Sequence, residues 1–322
     1  MLISVSNLSK KFFSKKNNKS IEFNAVNKIN FQVKKGEIFG LLGTNGAGKS
    51  TTIDILTTKL LATTGDIRIG NFDLTKDKQN IRKIIGCVSQ KGGSDTSFDA
   101  KDNLVLQAQL YGVSFQEALE KSLYFIEKFK LTDIQNRKVS TYSGGQKRRL
   151  ELAMGLINDP EIIFLDEPTT GLDPQSRSYF WEEILSLKKN GKTIFLTTHY
   201  LEEADNLCDT IAIMDQGKII EIGNPQNLKE SLGNSFLRIK FFDDKYLKIA
   251  KDKIENEKNL AKEINILEDL ELNISLEDHK EGILRIMKIF SENDIKIHSI
   301  NMTQPTLNDL FLKKTGKSLI EK

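Results

Sequence analysis

The sequence predicts an α/β protein with a mixed, mostly parallel sheet, followed by a small α+β domain. Short apolar runs alternate with segments of helical periodicity, and one apolar run leads directly into a glycine-rich loop. The length of 322 residues also exceeds that of an ordinary single domain. We therefore expect a large domain over residues 1–230 and a small one over 235–322, with the boundary near residues 225–235.

The predicted elements of the large domain follow one another in a regular order. Alternation in the first segment, clearest in INFQV (residues 29–33), is typical of a hairpin, and IFGLL (38–42) predicts a buried strand. Apolar residues three and four apart then predict a helix over 49–60. Further helices are predicted at residues 114–129, 144–157 and 176–188, and further buried strands at 162–165 and 193–196.

The pattern changes after Gly223-Asn224-Pro225. Residues 236–242 and 270–276 alternate as strands, residues 280–290 have helical spacing, and 295–300 form another strand pattern. These elements predict the small α+β domain, for which the sequence indicates no chemistry.

Bulk composition excludes several function classes. The chain is 39% hydrophobic and 28% charged, which is ordinary globular composition. A net charge of +3 gives no indication of nucleic-acid binding, and the lysine-rich segment 14–20 is predicted to be a solvated loop. Cys87 and Cys208 have neither metal-site nor disulfide spacing, which fits a reducing cytosol.

No membrane segment is expected. The N-terminus lacks the apolar core of a signal peptide, and no apolar stretch approaches the ~20 residues that span a bilayer. Any role at a membrane is therefore expected to depend on a partner chain.

The loop GTNGAGKST (residues 43–51) matches the phosphate-binding pattern G-x-x-x-x-G-K-[ST] in full. Its predicted strand and helix provide the required context, because backbone N–H groups and the helix dipole together bind phosphate. Lys49 is expected to reach the β- and γ-phosphates, and the Ser50 hydroxyl is expected to bind Mg²⁺. The predicted nucleotide-binding residues of the loop are Gly43, Asn45, Gly46, Ala47, Gly48, Lys49, Ser50 and Thr51.

Two adjacent carboxylates follow the apolar run 162–165. Asp166 and Glu167 are therefore placed at the carboxyl edge of the parallel sheet, where ligands bind. We expect Asp166 to bind Mg²⁺ and Glu167 to polarise the attacking water.

Three more side chains are candidates for the same site. His199 directly follows the predicted strand at 193–196 and is expected to contact the γ-phosphate, whereas His279 and His298 are expected to be surface or packing residues. Gln90 ends another apolar run, and its amide oxygen is a candidate Mg²⁺ ligand. Phe12 or Phe13 either stacks on the adenine ring or packs in the core.

Taken in order, these motifs resemble those of ABC ATPases. Their order along the chain is the order seen in that family: the phosphate loop, Gln90, SGGQ (residues 143–146), LDEP (165–168), GLDP (171–174) and His199. The resemblance covers at least residues 1–225. It implies a P-loop NTPase domain with a helical subdomain that uses ATP and Mg²⁺.

The resemblance also implies how the SGGQ segment is used. Two copies, or this chain and a related ATPase subunit, would stack head to tail with ATP at their interface. Each ATP would then face the phosphate loop of one copy and the SGGQ segment of the other. The residues carried over for this contact in trans are Ser143, Gly144, Gly145, Gln146 and Asp173.

The C-terminal segment QPTLNDLFLKKTGKSL (residues 304–319) resembles ABC-2-type exporters of the daunorubicin-resistance and multidrug kind. This likeness implies a peripheral ATPase on the cytoplasmic side of the membrane, paired with a separate transmembrane permease that docks near Gln90 and residues 92–103. Tyr142 and Thr44 depart from the family's usual Leu and Pro, and the longer N-terminal loop leaves the adenine-stacking residue open.

Two alternatives to an export motor remain at this stage. One is a soluble ABC ATPase that acts on ribosomes or DNA, although such proteins usually carry two ATPase halves or a long coiled coil. The other is an ATP-binding regulator without turnover, against which Glu167 and His199 argue.

Overall fold

The computed structural model describes residues 1–16, 19–232, 236–257, 260–267, 270–276 and 279–316. They divide into two compact units, the first spanning Met1–Pro225 and the second beginning at Gln226.

The first unit contains two sheets. The antiparallel sheet has the order β2-β1-β4-β5 and consists of β1 (Ile3–Lys16), β2 (Lys19–Val33), β4 (Thr64–Ile69) and β5 (Phe72–Asp73). The central sheet has the order β10-β9-β3-β8-β7-β6 and consists of β3 (Ile38–Leu42), β6 (Ile85–Val88), β7 (Ile162–Asp166), β8 (Thr193–Thr198), β9 (Thr210–Asp215) and β10 (Lys218–Gly223).

The central sheet confirms the predicted fold class. All its neighbouring strands pair in parallel except β9 and β10, which are antiparallel. Every residue of β3, β7 and β8 is buried, as expected for strands covered on both faces. The carboxyl ends of β3, β7 and β8 therefore lie side by side at one edge of the sheet.

Seven α-helices accompany these strands in the described residues. They are α1 (Lys49–Leu56), α2 (Lys78–Ile84), α3 (Ala100–Leu110), α4 (Phe115–Lys128), α5 (Gly144–Leu156), α6 (Pro174–Lys189) and α7 (Leu201–Leu207). An eighth, α8 (Pro225–Glu230), starts at the boundary and otherwise belongs to the second unit. Between β6 and β7, the helices α3, α4 and α5 form the helical region that the family resemblance implied.

Three local predictions for this unit were wrong. The helix after the phosphate loop ends at Leu56 rather than near residue 60, because Thr58 has a left-handed φ of 64° and the chain turns. The apolar spacing over residues 114–129 puts Phe115 on the same side of the helix as Ile126 and Phe129, yet Phe115 is 62% exposed while those two residues are buried.

The third correction concerns the lysine-rich segment 14–20. β1 continues through Lys16 and β2 begins at Lys19, so strands replace most of the predicted loop; residues 17–18 lie outside the described residues. The partner of β2 in this hairpin is β1, whereas the following apolar strand β3 joins the central sheet.

The second unit is α+β. Its elements are β11 (Phe236–Phe241), α9 (Asp244–Glu255), β12 (Ala261–Leu267), β13 (Glu271–Leu276), α10 (His279–Glu292), β14 (Ile297–Thr303) and α11 (Leu307–Thr315). The sheet is antiparallel in the order β12-β13-β11-β14, which with the two crossover helices is the β-α-β-β-α-β arrangement of ferredoxin-like domains. A core that includes Leu237, Ile239 and Leu272 belongs to this unit alone.

His298 of β14 packs edge-on against the ring of Phe242 at 5.5 Å, a packing contact of the kind expected for it. Within the described ranges, no helix combines the length and the hydropathy that crossing a bilayer requires.

Candidate nucleotide site

The glycine loop between β3 and α1 has the backbone that its sequence demands. Gly48 caps α1 with a left-handed φ of 108°, and a Cβ atom there would collide with the carbonyl oxygen of Ala25. A Cβ atom on Gly43 would similarly collide with the carbonyl oxygen of Met214. No larger residue fits at these two positions, so the loop can keep its curled shape only with glycine.

Lys49 begins α1 with its side chain folded back over the loop. Its Nζ donates to the carbonyl oxygens of Gly43 at 2.8 Å and Thr44 at 3.1 Å, and it lies 3.2 Å from Oε1 of Glu167. The side chain is 3% exposed, and this burial lowers the pKa of Lys49 against the opposing effect of the Glu167 carboxylate. Two carbonyl oxygens and the Glu167 carboxylate thus hold the ammonium at the mouth of the loop. Phosphate oxygens of a bound nucleotide would compete with these acceptors for its N–H groups.

Ser50 and Asp166 bring two oxygens together beside the loop. The Ser50 hydroxyl donates to Oδ1 of Asp166 at 3.2 Å, and the buried Thr197 hydroxyl donates to the same oxygen at 2.5 Å. Hard divalent cations such as Mg²⁺ take oxygen ligands and commonly use one or two protein groups plus phosphates and water. This pair fits that donor set.

Glu167 follows at the end of β7 in an uncommon conformation. Its φ of 45° is left-handed, which costs a non-glycine residue about 1–2 kcal/mol. The backbone N–H donates to both the carbonyl and the hydroxyl oxygen of Thr197, each at 3.1 Å. Thr197 thus fixes the backbone of Glu167 as well as the carboxylate of Asp166.

Four side chains surround the Glu167 carboxylate, and one of them is Thr170, whose hydroxyl donates to Oε2 at 3.4 Å. Besides Lys49, Nε2 of Gln90 donates to Oε2 at 3.0 Å, and Nδ1 of His199 lies 3.2 Å from the same oxygen without the alignment of a hydrogen bond. The neighbouring His199 lowers the pKa of Glu167 most, and the charge of Lys49 lowers it further against the effect of burial, to about 2. Glu167 is therefore ionised at any physiological pH and can accept a hydrogen bond.

The structure thus places six of the predicted site residues close together, whereas their roles stay predictions. They are Lys49, Ser50, Gln90, Asp166, Glu167 and His199. One detail differs from the expectation for Gln90: its amide N–H₂ faces Glu167, and it has no direct contact with the Ser50–Asp166 pair.

The SGGQ segment forms a second cluster. Ser143 caps α5: its hydroxyl accepts from the N–H of Gln146 at 3.3 Å, and the Gln146 side chain accepts from the Ser143 N–H at 2.9 Å. A Cβ atom on Gly145 would lie 2.6 Å from Oγ of Ser176, whereas one on Gly144 would have no neighbour nearer than 3.9 Å. The reciprocal cap leaves the Ser143 hydroxyl hydrogen available to donate at the helix N-terminus.

Asp173 belongs to this second cluster. Its carboxylate caps α6 by accepting from the N–H of Ser176 at 2.9 Å and from the hydroxyl of Ser176 at 2.6 Å. These bonds lower the pKa of Asp173, which is fully exposed. Within one chain, Ser176 thus lies between Asp173 and Gly145.

Phe12 has an intramolecular ring partner. It lies on β1 opposite Phe23, with the two rings stacked at 5.6 Å and the Lys10 ammonium 5.1 Å from the Phe12 ring. Phe13 points outward and is 70% exposed. Stacking of either ring on adenine stays a prediction.

Sequence reasoning missed two residues that hold this site together. Thr197 lies one strand away from the carboxylates, and only the pairing of β7 with β8 reveals its role. Arg148 is buried and donates to the carbonyl oxygens of Pro168 and Ser89, the residues next to Glu167 and Gln90. A charged pair three residues apart on a helix, Arg148 and Glu151, was the available signal.

A glycine loop between a buried strand and a helix, with a carboxylate pair on the second strand away, defines a P-loop nucleoside triphosphatase. Comparisons with known proteins narrow this class. Residues 26–170 match the family "ABC transporter". Over 297 residues the chain is 36% identical to the daunorubicin/doxorubicin resistance ATP-binding protein DrrA of Streptomyces peucetius, covering 91% of this chain and 88% of that protein.

Two further comparisons agree. The linearmycin resistance ATP-binding protein LnrL of Bacillus subtilis is 34% identical over 297 residues, covering 91% of this chain and 94% of that protein. A dimeric ATP-binding cassette, MJ0796, solved in a post-hydrolysis state with ADP and Pi, superposes with a TM-score of 0.62 at 25% identity, covering 69% of this chain and 98% of that one. The chain therefore belongs to the ABC transporter family, as an ATP-binding subunit with ATPase activity.

Proposed function

We propose that this chain is the ATP-hydrolysing motor of an ABC-2-type exporter and that it powers transport through a separate membrane subunit. The observation that carries the ATPase part is the Glu167 carboxylate, ionised and within 3.2 Å of both Lys49 Nζ and His199 Nδ1 at the mouth of the phosphate loop. Export is supported by the names of the relatives, which include drug-resistance and Nod factor export ATP-binding proteins.

The residues divide the reaction between them. The loop N–H groups and Lys49 bind the β- and γ-phosphates of ATP, while Ser50 and Asp166, with Gln90, hold Mg²⁺, which neutralises phosphate charge when bound. Glu167 accepts a hydrogen bond from the attacking water and orients it. His199 contacts the γ-phosphate from the neighbouring strand end.

A complete site takes groups from two chains. Ser143 and Gly145 lie at the N-terminus of α5, where the helix dipole and free N–H groups favour an anion. In a head-to-tail dimer this terminus binds the γ-phosphate held by the partner copy's phosphate loop, and Asp173 lies at the same interface. The structural relative MJ0796, described as a dimer, supports this arrangement.

The membrane subunit docks beside the segment 92–103. The helix α3 begins within this segment, and a groove of about 520 Å³ at its far end is lined by cations that include Lys59 and Arg82 and by the apolar side chains of Leu110 and Tyr111. Leu110 is 74% exposed although it is a large apolar residue. An amphipathic cytoplasmic segment with acidic and apolar residues complements such a groove.

The test is to express the chain with and without a candidate membrane subunit from the same genome. We expect recovery in washed membranes only with the subunit, and loss of that recovery in Leu110→Lys. The matched control is Phe115→Lys, which changes an apolar residue of similar exposure outside the groove. Membrane recovery without the subunit, or co-sedimentation with ribosomes in its presence, would contradict the proposal.

A further inference from the structure

Arg148 is a buried cation with an unusual set of partners. Its side chain is 8% exposed, although it lies only one turn into α5, two residues after the SGGQ segment. The guanidinium donates to the carbonyl oxygens of Ser89 at 2.8 Å, Asp166 at 3.2 Å, Glu167 at 3.4 Å and Pro168 at 2.6 Å, and to Oε2 of Glu151 at 3.0 Å. Four of the five acceptors are backbone carbonyls.

These acceptors lie in the two segments that carry chemistry. Residues 166–168 include both carboxylates at the end of β7, and Ser89 immediately precedes Gln90. Only the planar, forked guanidinium can donate to so many carbonyls at once. A buried charge is costly unless it is fully partnered, so this arrangement persists because the backbone turns supply acceptors.

Glu151 completes the arrangement on the other side. Its carboxylate is 7% exposed, pairs with Arg148 three residues earlier on α5, and packs against Gly92 so closely that a Cβ atom there would collide with it. The turn from Ser89 to Gly92 is closed by two bonds, from Gly92 N–H to the Ser89 carbonyl at 3.1 Å and from the Ser89 hydroxyl to the Gly92 carbonyl at 2.8 Å. Both Arg148 and Glu151 thus contact this turn, Arg148 at Ser89 and Glu151 at Gly92.

We propose that Arg148 is a positioning residue for ATP hydrolysis: it fixes the left-handed backbone at Glu167 and the start of the Gln90 turn, so that these two side chains meet. Glu151 in turn orients the guanidinium. The inference rests on the ATPase role of Glu167 in the proposed function.

This role is separable from ATP binding. The phosphate loop is held by its glycines and by the contacts of Lys49 with the Gly43 and Thr44 carbonyls, none of which involves Arg148. Loss of Arg148 should therefore release the Glu167 backbone while the nucleotide contacts remain.

The experiment compares Arg148→Gln with Arg149→Gln in the purified full chain. Both remove one cation from α5, but Arg149 donates to the carbonyls of Phe129 and Lys130 at the end of α4. For Arg148→Gln we expect kcat to fall at least about tenfold, equivalent to ~1.4 kcal/mol of activation free energy, with the Kd for MgATP changed less than about twofold. For Arg149→Gln we expect kcat within about threefold of the parent, because its hydrogen bonds to Phe129 and Lys130 involve neither Glu167 nor Gln90.

Conservative variants keep the test decisive if Arg148→Gln folds poorly. Arg148→Lys keeps the charge but supplies a single donor centre, so it should recover only part of kcat. Glu151→Gln keeps the side-chain volume and should lower kcat less than Arg148→Gln does. In the double variant, the fall in kcat should be smaller than the two single effects combined, because both residues act through one network.

Two results would overturn the proposal. One is an equal fall in kcat for Arg148→Gln and Arg149→Gln, which indicates general loosening of α5. The other is a Kd for MgATP that rises as much as kcat falls, which places Arg148 in nucleotide binding. Failure of the export function is distinguishable, because it appears as normal hydrolysis in the parent chain without any dependence on the membrane subunit.

Discussion

At the scale of single residues, Glu167 is the most tightly held group of the site. Lys49, Gln90 and His199 contact its carboxylate, Thr197 holds its N–H, and its carbonyl accepts from a buried arginine. The sequence predicted the side-chain contacts because parallel strands end at one edge. It could not predict the carbonyl contacts, since any residue type presents a carbonyl.

Changing Glu167 to Gln should separate binding from hydrolysis. The phosphate contacts remain, so the Kd for ATP should change less than about threefold, whereas kcat should fall by roughly 100-fold or more because the water loses its acceptor. Nucleotide titration and steady-state hydrolysis measure the two quantities. Glu202→Gln, an exposed change of the same kind on α7, is the control, and equal loss of binding and hydrolysis in Glu167→Gln would remove Glu167 from the water-activating role.

The folding stability should also depend on pH through the Glu167 carboxylate. Folding lowers the pKa of Glu167 from its usual 4.5 to about 2, so ionisation favours the folded state above pH ~4.5 and this contribution is lost as the pH falls towards 2. The contribution is below the ~3.4 kcal/mol to which this shift corresponds, because solvent screens part of the interaction.

We therefore expect Glu167→Gln to be less stable than the parent at pH 6 and the difference to shrink progressively below pH ~4.5. Urea unfolding followed through Trp181, the single tryptophan, measures it. A stability difference that stays constant down to pH ~3 would mean that the carboxylate is not held ionised by its neighbours.

At the scale of elements, α5 has two functional parts: its capped N-terminus and, one turn later, Arg148. Its existence and start were predictable from the SGGQ cap and the apolar spacing. The early end of α1 was not, because Thr58 adopts a left-handed conformation that its residue type does not favour. The continuation of β1 through Lys16 was missed, because a lysine-rich segment is more typical of a solvated loop.

A negative charge introduced at the start of α5 should test whether this helix end faces the γ-phosphate bound by the partner copy. Gly144 is a better position than Gly145, whose Cβ atom would meet Ser176 within the same chain. Gly144→Asp adds a carboxylate that favours the helix N-terminus but repels the partner copy's γ-phosphate. Hydrolysis should fall by roughly 100-fold, since like charges at an interface cost several kcal/mol, while ATP binding to the isolated chain is kept.

Gly144→Asn, uncharged and of the same shape, is the control and should retain most of the activity. Equal losses in the two variants would point to crowding rather than to a facing phosphate.

At the scale of the whole molecule, the chain comprises a nucleotide-binding unit and a ferredoxin-like unit with a core of its own. The sequence predicted the second unit's class from three strands and one helix. It missed the strand β12, whose apolar pattern is interrupted by exposed positions, and the helices α8, α9 and α11.

Mixing two inactive chains should restore activity if sites are shared. In a heterodimer of Lys49→Ala and Gly144→Asp chains, both lesions fall on one composite site and the other site is intact. Hydrolysis by the mixture should exceed that of either homodimer, as measured after co-expression with two different tags. A mixture no more active than its components would argue against one intact composite site being sufficient.

The position of Arg148 on α5 has a consequence for how the two sites respond to ATP concentration. In the proposed dimer, one rigid helix contacts the partner's nucleotide at its start and its own chain's catalytic strand at Arg148. Occupation of one site then affects the carboxylate that acts at the other, so hydrolysis per site should be faster when both sites hold ATP than when one does. In the parent chain, hydrolysis should therefore rise more steeply with ATP concentration than site occupation does, and Arg148→Gln should remove this difference while leaving the ATP affinity nearly unchanged, so that the guanidinium that positions a carboxylate also links a pair of active sites.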